Sequence, residues 1–217
     1  MSIFVTGTDT GVGKTSFTTW LLQRLRERGV RAAGYKPICC GDRADAEQLQ
    51  AASCPGLTID EVNPVWLKTP AAPMTAALEE KRKIDFARLR EGFRRLSERV
   101  DFVAVEGVGG WMVPITAAYF TSDFAGELRL PVVVVVLNKL GCLNHTLLTV
   151  RSIEGANLRC AGVVLNSFET DADIAVATNA AILRSCLALP MLERFDREAA
   201  DIAEPLLQMM PEIRRRV

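Results

Sequence analysis

The chain contains 217 residues, of which 49% are hydrophobic and 24% charged, as is usual for a folded protein with a large core. Its 26 basic residues balance its 26 acidic residues, so we expect no basic face and no nucleic-acid partner. The longest apolar run, residues 130–137, is too short to cross a bilayer, so we expect no membrane partner.

The cysteine and histidine content excludes several kinds of site. None of the six cysteines forms a C-x-x-C pair, which disfavours a zinc site, and their scatter through apolar stretches is typical of a reducing cytosol. With one histidine, His145, a Ser-His-Asp triad is not expected. The sequence opens on an apolar strand, so we predict no secretory signal and a cytoplasmic protein.

Strand-like and helix-like segments alternate along the chain. The predicted strands cover residues 3–6, 31–35, 102–105, 131–137, 161–166 and 189–192, and residues 62–67 are either a strand or an extended loop. The predicted helices cover residues 16–28, 45–52, 84–99, 122–128, 144–157, 171–187 and 196–210. Prolines at 64, 70 and 73 predict that the stretch following residues 62–67 is irregular. This order predicts an α/β fold, a parallel doubly wound sheet flanked by helices, in a single domain over residues 1–217.

A glycine-rich loop joins the first predicted strand to the first predicted helix and ends in Gly13-Lys14-Thr15. Such a loop directs backbone N–H groups and a helix N-terminus at phosphate, which is typical of P-loop NTPases. The usual spacing requires glycine at position 8, but this chain has Thr8 there and Gly7 before it, so the loop is a variant form. The residues expected to hold the nucleotide phosphates are Asp9, Thr10, Gly11, Val12, Gly13, Lys14, Thr15 and Ser16.

Polar residues follow other predicted strands, at the edge of the sheet where ligands gather in such folds. Thr15, Asp45 and Glu106 offer the hard oxygens that Mg²⁺ prefers, although Asp45 could equally cap the helix that follows it. Lys36 comes directly after the second strand. It is either a surface lysine at a turn or, with Lys14, a second positive charge for a transferring phosphoryl group.

Five blocks of sequence together resemble the dethiobiotin synthetases, the ATP-dependent carboxylases of biotin synthesis. In chain order they are GTDTGVGKT (7–15), KPICCG (36–41) with Asp45, Asn63-Pro64 with Pro70 and Pro73, VEGVGGWMVP (105–114) and KLGCLNHTLLT (139–149). The phosphate loop is shared with many relatives, whereas the last two blocks are much more specific. The resemblance runs from residue 3 to about residue 166 and is weak after Phe168.

The resemblance implies a reaction, a cofactor and an assembly. In the family, 7,8-diaminononanoate reacts with CO₂, supplied as CO₂ or bicarbonate, to give a carbamate. The carbamate attacks the γ-phosphate of ATP. The second amine then closes the ring on the carbamic-phosphoric anhydride, giving dethiobiotin, ADP and phosphate. The resemblance also implies Mg²⁺ and a homodimer with the substrate at the interface.

The resemblance further implies a role for each matching residue. Lys14 matches the lysine on the phosphates, Lys36 the lysine that steadies the carbamate and the transferring phosphoryl group, and Thr10 a residue near the substrate amines. The Mg²⁺ ligands would again be Thr15, Asp45 and Glu106. The remaining matches are Gly109 and, from the partner subunit, Leu143 and Asn144 for substrate, with Asn166 and Pro190 for adenine. Cys40 stands where the family has a hydroxyl, and a thiol is a weaker hydrogen-bond donor.

Two other classes of P-loop protein have similar loops. Nucleotide switches that position cellular structures bind DNA or membrane through an added basic surface, which a neutral chain without a basic amphipathic tail does not offer. Glutamine-dependent amidases of corrinoid synthesis need a glutaminase domain, for which 217 residues leave no room. Both remain alternatives to the synthetase.

Overall fold

The computed structural model describes residues 1–167, 174–193 and 209–210. The strands in these ranges are β1 (Ser2–Gly7), β2 (Ala32–Tyr35), β3 (Ile38–Cys40), β4 (Val65–Leu67), β5 (Phe102–Glu106), β6 (Pro114–Thr116), β7 (Tyr119–Phe120), β8 (Val132–Leu137), β9 (Cys160–Asn166) and β10 (Met191–Glu193). The helices are α1 (Lys14–Glu27), α2 (Ala44–Ala52), α3 (Ile59–Val62), α4 (Pro73–Glu79), α5 (Phe86–Arg99), α6 (Thr121–Leu128), α7 (Cys142–Gly155) and α8 (Ile174–Cys186). No helix among them is long and apolar enough to cross a membrane.

A six-stranded parallel sheet in the order β10-β9-β8-β1-β5-β2 forms the centre of the protein. The central strands are apolar on both faces because helices cover both sides; residues 132–136 of β8 are five fully buried valines. The predicted parallel α/β sheet is confirmed. The single domain over residues 1–217 stays a prediction, as does the helix at 196–210, of which only residues 209–210 fall within the described part.

Three sequence predictions need correction. The proline-rich stretch is not irregular throughout, because α4 begins at Pro73, where the fixed φ of proline suits the first turn of a helix. Residues 62–67 divide into the end of α3 and the strand β4, which pairs in parallel with β3. The strand β3 and the antiparallel pair β6–β7 were not predicted, since strands of two or three residues are too short to show a periodicity.

The register of the sheet brings the predicted polar residues to one edge. Tyr35 pairs with Val105, so the next residues, Lys36 and Glu106, are neighbours at the carboxyl ends of β2 and β5. Val5 of β1 pairs with Glu106 on its other side, just before the glycine-rich loop. The loop, Lys36 and Glu106 therefore meet at the edge where ligands bind in this type of fold.

Tyr35 fixes the end of β2 against α5. Its ring is fully buried and packs on Phe93 with 6.3 Å between ring centroids, and its hydroxyl donates to the backbone oxygen of Leu89 at 2.6 Å. Space for that hydroxyl comes from Gly92, because a Cβ added there would lie 2.6 Å from it. Glycine at position 92 thus leaves room for the Tyr35 ring, which fixes the residue before Lys36.

Gly92→Ala should lower the free energy of unfolding by about 1–3 kcal/mol, the usual range for overpacking, because the rigid Tyr35 ring cannot move away without breaking its hydrogen bond. Gly126→Ala is the matched control. Gly126 is also within a helix, but an added Cβ would meet nothing within 4 Å, so alanine should stabilise by up to about 1 kcal/mol. Chemical denaturation of both variants measures the difference, and equal effects would contradict the role assigned to Gly92.

Candidate active site

The geometry of the phosphate loop explains its variant glycine spacing. A Cβ at Gly7 would lie 2.8 Å from Cγ2 of Val12, 2.9 Å from the backbone oxygen of Asp9 and 3.0 Å from Nζ of Lys14. The loop therefore folds back over position 7, where no side chain fits. Gly13, with φ of +94°, then starts α1 in a left-handed conformation that favours glycine.

Lys14 lies over this loop. Its Nζ donates to the backbone oxygen of Asp9 at 2.9 Å, and the side chain is buried. Burial, together with the positive charge of Lys36, lowers the pKa of Lys14 to about 8. Both effects disfavour the charged form of a lysine, and a phosphate next to Nζ would reverse them.

Four side chains form a charged cluster beside the loop. Nζ of Lys36 donates to Oε1 of Glu106 at 2.7 Å and to Oδ2 of Asp45 at 2.9 Å. The hydroxyl of Thr15 donates to the same Glu106 oxygen at 2.8 Å. Lys36 is 2% exposed and Glu106 is 0% exposed, so the ion pair between them is removed from water.

The protonation states follow from this geometry. Burial lowers the pKa of Lys36, but the carboxylates of Glu106 and Asp45 outweigh it and hold that pKa above the ordinary value. Burial raises the pKa of Asp45, but the charge and hydrogen bond of Lys36 bring it below the ordinary value. Lys36 and Asp45 are therefore both charged near neutral pH.

The cluster offers the oxygens that Mg²⁺ takes. Oε2 of Glu106 is buried without a hydrogen-bond partner, and Thr15 and Asp45 add a hydroxyl and a carboxylate. Within the described residues, no group of three or more His, Cys, Asp or Glu side chains could hold a metal alone. Mg²⁺ takes few protein carboxylates and completes its coordination with phosphate oxygens and water. Asp45 is not the helix cap that was the alternative, since Arg43 occupies the N-cap of α2.

A cavity of about 730 Å³ opens over the loop and the cluster. The predicted site residues that line it are Thr10, Gly11, Gly13, Lys14, Thr15, Ser16, Lys36, Cys40, Asp45 and Gly109. Glu106 lies against this wall through its bonds to Thr15 and Lys36. Eleven of the predicted site residues, these ten and Glu106, therefore lie together around one cavity.

Other lining residues were missed. They are Cys39, Gln48, Pro70, Ala71, Ala72, Pro73, Val108 and Val113. Gln48 lies three residues after Asp45 on α2, a helical spacing that could have indicated it. Pro70 and Pro73 belong to one of the sequence blocks that carry the resemblance, but no chemistry pointed to them.

Besides Glu106, six predicted residues do not line this cavity: Asp9, Val12, Leu143, Asn144, Asn166 and Pro190. Asn166 instead supports the loop, since its Nδ2 donates to the backbone oxygen of Val12 at 2.9 Å. Asn144 is exposed in the first turn of α7, and Leu143 beside it is half-buried. Their predicted contacts with substrate and adenine stay predictions.

The chain is similar in sequence to proteins of known function. A family model described as an AAA domain matches residues 1–199. The chain is 43% identical to the ATP-dependent dethiobiotin synthetase BioD of Akkermansia muciniphila over 88% of this chain and 90% of that protein. It is 40% identical to the protein of the same name from Cellvibrio japonicus over 97% of this chain and 96% of that protein.

The chain belongs to the dethiobiotin synthetase family. Members of this family are ATP-dependent ligases of biotin biosynthesis, so the chain is an enzyme of that class. This confirms the resemblance found in the sequence.

Solved structures show how widely the dethiobiotin synthetase fold is shared. A ParA family ATPase from Chlorobium tepidum TLS is similar, with a TM-score of 0.53, 11% sequence identity and coverage of 98% of this chain and 92% of that one. The kinase domain of the Escherichia coli tyrosine kinase ETK has a TM-score of 0.52 and 14% identity, covering 79% of this chain and 69% of that one. At such identities the likeness shows the fold alone, and it confirms the predicted P-loop NTPase architecture.

Cys40 brings an unreactive thiol to the cavity wall of this synthetase. Burial, together with the neighbouring Cys39 and Glu80, raises the pKa of Cys40 to about 12. The group is therefore a protonated thiol near neutral pH, a neutral and weak hydrogen-bond donor.

The pKa of Cys40 predicts slow alkylation. Iodoacetamide reacts with the thiolate, so at pH 8 Cys40 should react about a hundredfold more slowly than an ordinary exposed thiol, with the exposed Cys186 as internal reference. Between pH 7.5 and 9.5 its rate should rise about tenfold per pH unit, because the thiolate fraction rises in that proportion. Peptide mass spectrometry follows each site. Labelling of Cys40 as fast as Cys186 would show that burial does not suppress its thiolate.

Proposed function

We propose that this cavity is the site where the chain performs the reaction of its family. That reaction is the ATP-dependent carboxylation and ring closure of 7,8-diaminononanoate with CO₂ to dethiobiotin, ADP and phosphate. The observation that carries the proposal is the hydrogen-bonded cluster of Lys36, Glu106, Asp45 and Thr15, with its buried Lys36–Glu106 ion pair, beside the phosphate loop. The cluster would offer a fixed positive charge and hard oxygens to the γ-phosphate of a nucleotide bound at that loop.

The phosphate loop and α1 would bind the triphosphate of ATP. Backbone N–H groups of residues 9–16 and the N-terminus of α1 favour negative charge, and Lys14 adds a flexible positive charge. Thr15, Asp45 and Glu106 would hold Mg²⁺, which neutralises charge on the phosphates when it is bound. Asn166 would keep the loop in place and, with Pro190, would lie on the adenine side.

Lys36 would act on the reacting groups. Its ammonium lines the cavity and is held by two carboxylates, so its position is defined before the substrate arrives. A fixed cation there would orient the carbamate and stabilise the phosphoryl group as it transfers. The carbamate supplies the attacking oxygen, so the reaction needs no nucleophile from the protein.

The diamine would lie along Thr10, Cys40 and Gly109, which line the same cavity as Lys36. Close approach is possible there because Gly109 has no side chain and a φ of +61°. Cys40 would contact the substrate only weakly, as a neutral thiol.

A homodimer would bring Leu143 and Asn144 to the partner's substrate. The exposed leucines of the same region support such an interface, since Leu140 is 79% and Leu148 58% exposed. A cytoplasmic location, favoured by six free thiols, stays a prediction.

Phosphate release from MgATP, measured with and without 7,8-diaminononanoate and bicarbonate, tests the proposal. Release should depend on the diamine, and mass spectrometry should find dethiobiotin, because the substrate carbamate is the nucleophile. Release that is indifferent to the diamine would overturn the assigned reaction and favour a nucleotide switch. Adding DNA and lipid vesicles to parallel samples would then identify such a switch.

Lys36→Ala should lower dethiobiotin formation by about 100- to 1,000-fold, the usual effect of removing a charge that stabilises a transition state. Nucleotide binding should persist in part, because Lys14 and the loop remain. Lys83→Ala is the matched control, since Lys83 is exposed and does not line the cavity. Thermal unfolding establishes that both variants are folded, and normal turnover by Lys36→Ala would remove Lys36 from the mechanism.

A further inference from the structure

Asn63 is tied to Lys36 from outside the cavity. It is fully buried, and its side-chain amide donates to the backbone oxygens of Lys36 at 2.7 Å and of Val65 at 3.0 Å. Its Oδ1 accepts a hydrogen bond from Nε of Arg43 at 2.9 Å. Both N–H groups and the oxygen of this amide are engaged, and a satisfied buried network of this kind holds one geometry.

Arg43 connects the same network to the start of α2. One of its terminal nitrogens donates to the backbone oxygen of Asn63 and to Oδ1 of Asp60, both at 2.7 Å. Its guanidinium also lies over the ring of Trp66, 5.4 Å from the centroid. Arg43 is the N-cap of α2, and its backbone oxygen accepts the first helical hydrogen bond, from Glu47 at 3.0 Å. The contacts of the Arg43 side chain therefore hold the residue that caps the helix, two residues before Asp45.

We infer that Arg43 and Asn63 are positioning residues that set Lys36 and Asp45 at the correct separation. Asn63 holds the backbone of Lys36, Arg43 holds the turn that carries Asp45, and 2.9 Å separates Nζ of Lys36 from Oδ2 of Asp45. Neither Arg43 nor Asn63 lines the cavity, so both act through the two residues that do. The inference rests on the proposed function, in which Asp45 holds Mg²⁺ and Lys36 faces the reacting groups.

The geometry favours Arg43 for this task over lysine. The planar guanidinium donates to Oδ1 and the backbone oxygen of Asn63 and to Asp60 at the same time. A lysine ammonium is a single centre on a flexible stem and cannot reproduce that fork. Arg43→Lys should therefore keep part of the function of the pair, and Arg43→Gln should keep less.

Ser53 provides the matched control for stability. It is buried at the end of α2 away from the cavity and joins that helix to β2: its hydroxyl accepts from the backbone N–H of Gly34 at 2.9 Å and donates to the backbone oxygen of Leu49 at 2.6 Å. Ser53→Ala therefore weakens the attachment of α2 to β2 without touching Arg43, Lys36 or Asp45. It should lower the Tm and leave the dependence on Mg²⁺ unchanged.

The experiment compares wild type, Arg43→Gln, Arg43→Lys and Ser53→Ala by their Tm and by two functional readouts. The first is the Mg²⁺ concentration that half-saturates ADP binding in calorimetry, and the second is kcat and KM for dethiobiotin formation. Arg43→Gln should raise the half-saturating Mg²⁺ concentration about tenfold and lower kcat about tenfold, which is the usual effect of removing a residue that orients a metal ligand. KM for ATP should change less than about twofold, because the phosphate loop is intact. Arg43→Lys should raise the half-saturating Mg²⁺ concentration by less, about threefold.

Two outcomes would overturn the inference. One is an Arg43→Gln variant whose Tm falls as in Ser53→Ala while its Mg²⁺ dependence and kcat match wild type, because Arg43 would then only stabilise the fold. The other concerns Arg43→Lys, which decides the question if Arg43→Gln does not fold. If the Mg²⁺ dependence of Arg43→Lys equals that of wild type, Arg43 does not position Asp45. Wild type that binds MgADP but makes no dethiobiotin would instead refute the proposed reaction, and the calorimetric comparison would still test the pair.

Discussion

The buried ion pair between Lys36 and Glu106 is the interaction on which the site depends. Its atoms lie 2.7 Å apart, and both side chains are removed from water. Desolvating two such charges costs several kcal/mol per ion, and their attraction offsets this only when further polar contacts are present. Thr15 and Asp45 supply those contacts from α1 and α2. The pair is therefore stable only when both helices and both strands are in place.

That dependence explains why the register of the sheet is so tightly supported. A shift of one residue in β5 would turn Glu106 to the opposite face and separate it from Lys36. Tyr35, one residue before Lys36, is locked to α5 by its hydroxyl and by the space at Gly92. The packing around Tyr35, behind the cavity, thus determines where the two charges meet.

The sequence predicts the sheet and the edge where the site lies, because apolar runs ending in Lys36 and Glu106 are local signals. Gly13-Lys14-Thr15 predicts phosphate binding for the same reason. It does not predict the link between Arg43 and Asn63, which lie 20 residues apart and meet only after α2, α3 and β2 have packed. Nor does it predict the raised pKa of Cys40, which comes from burial by distant residues. The sequence does not predict contacts between side chains that only the tertiary structure brings together.

Stability alone does not account for this arrangement. An apolar cluster of similar volume is often as stable as a buried ion pair or more so, and the unpartnered Oε2 of Glu106 adds a further cost. Phosphoryl transfer supplies a reason, since charges that are fixed in advance in a dry site need no reorganisation during the reaction. Such charges stay fixed only if the groups behind them are rigid. The satisfied amide of Asn63 and the fork of Arg43 provide that rigidity on one side, and Tyr35 provides it on the other. The strict geometry of the surrounding shell is thus a consequence of placing Lys36 and Glu106 where water cannot stabilise their charges.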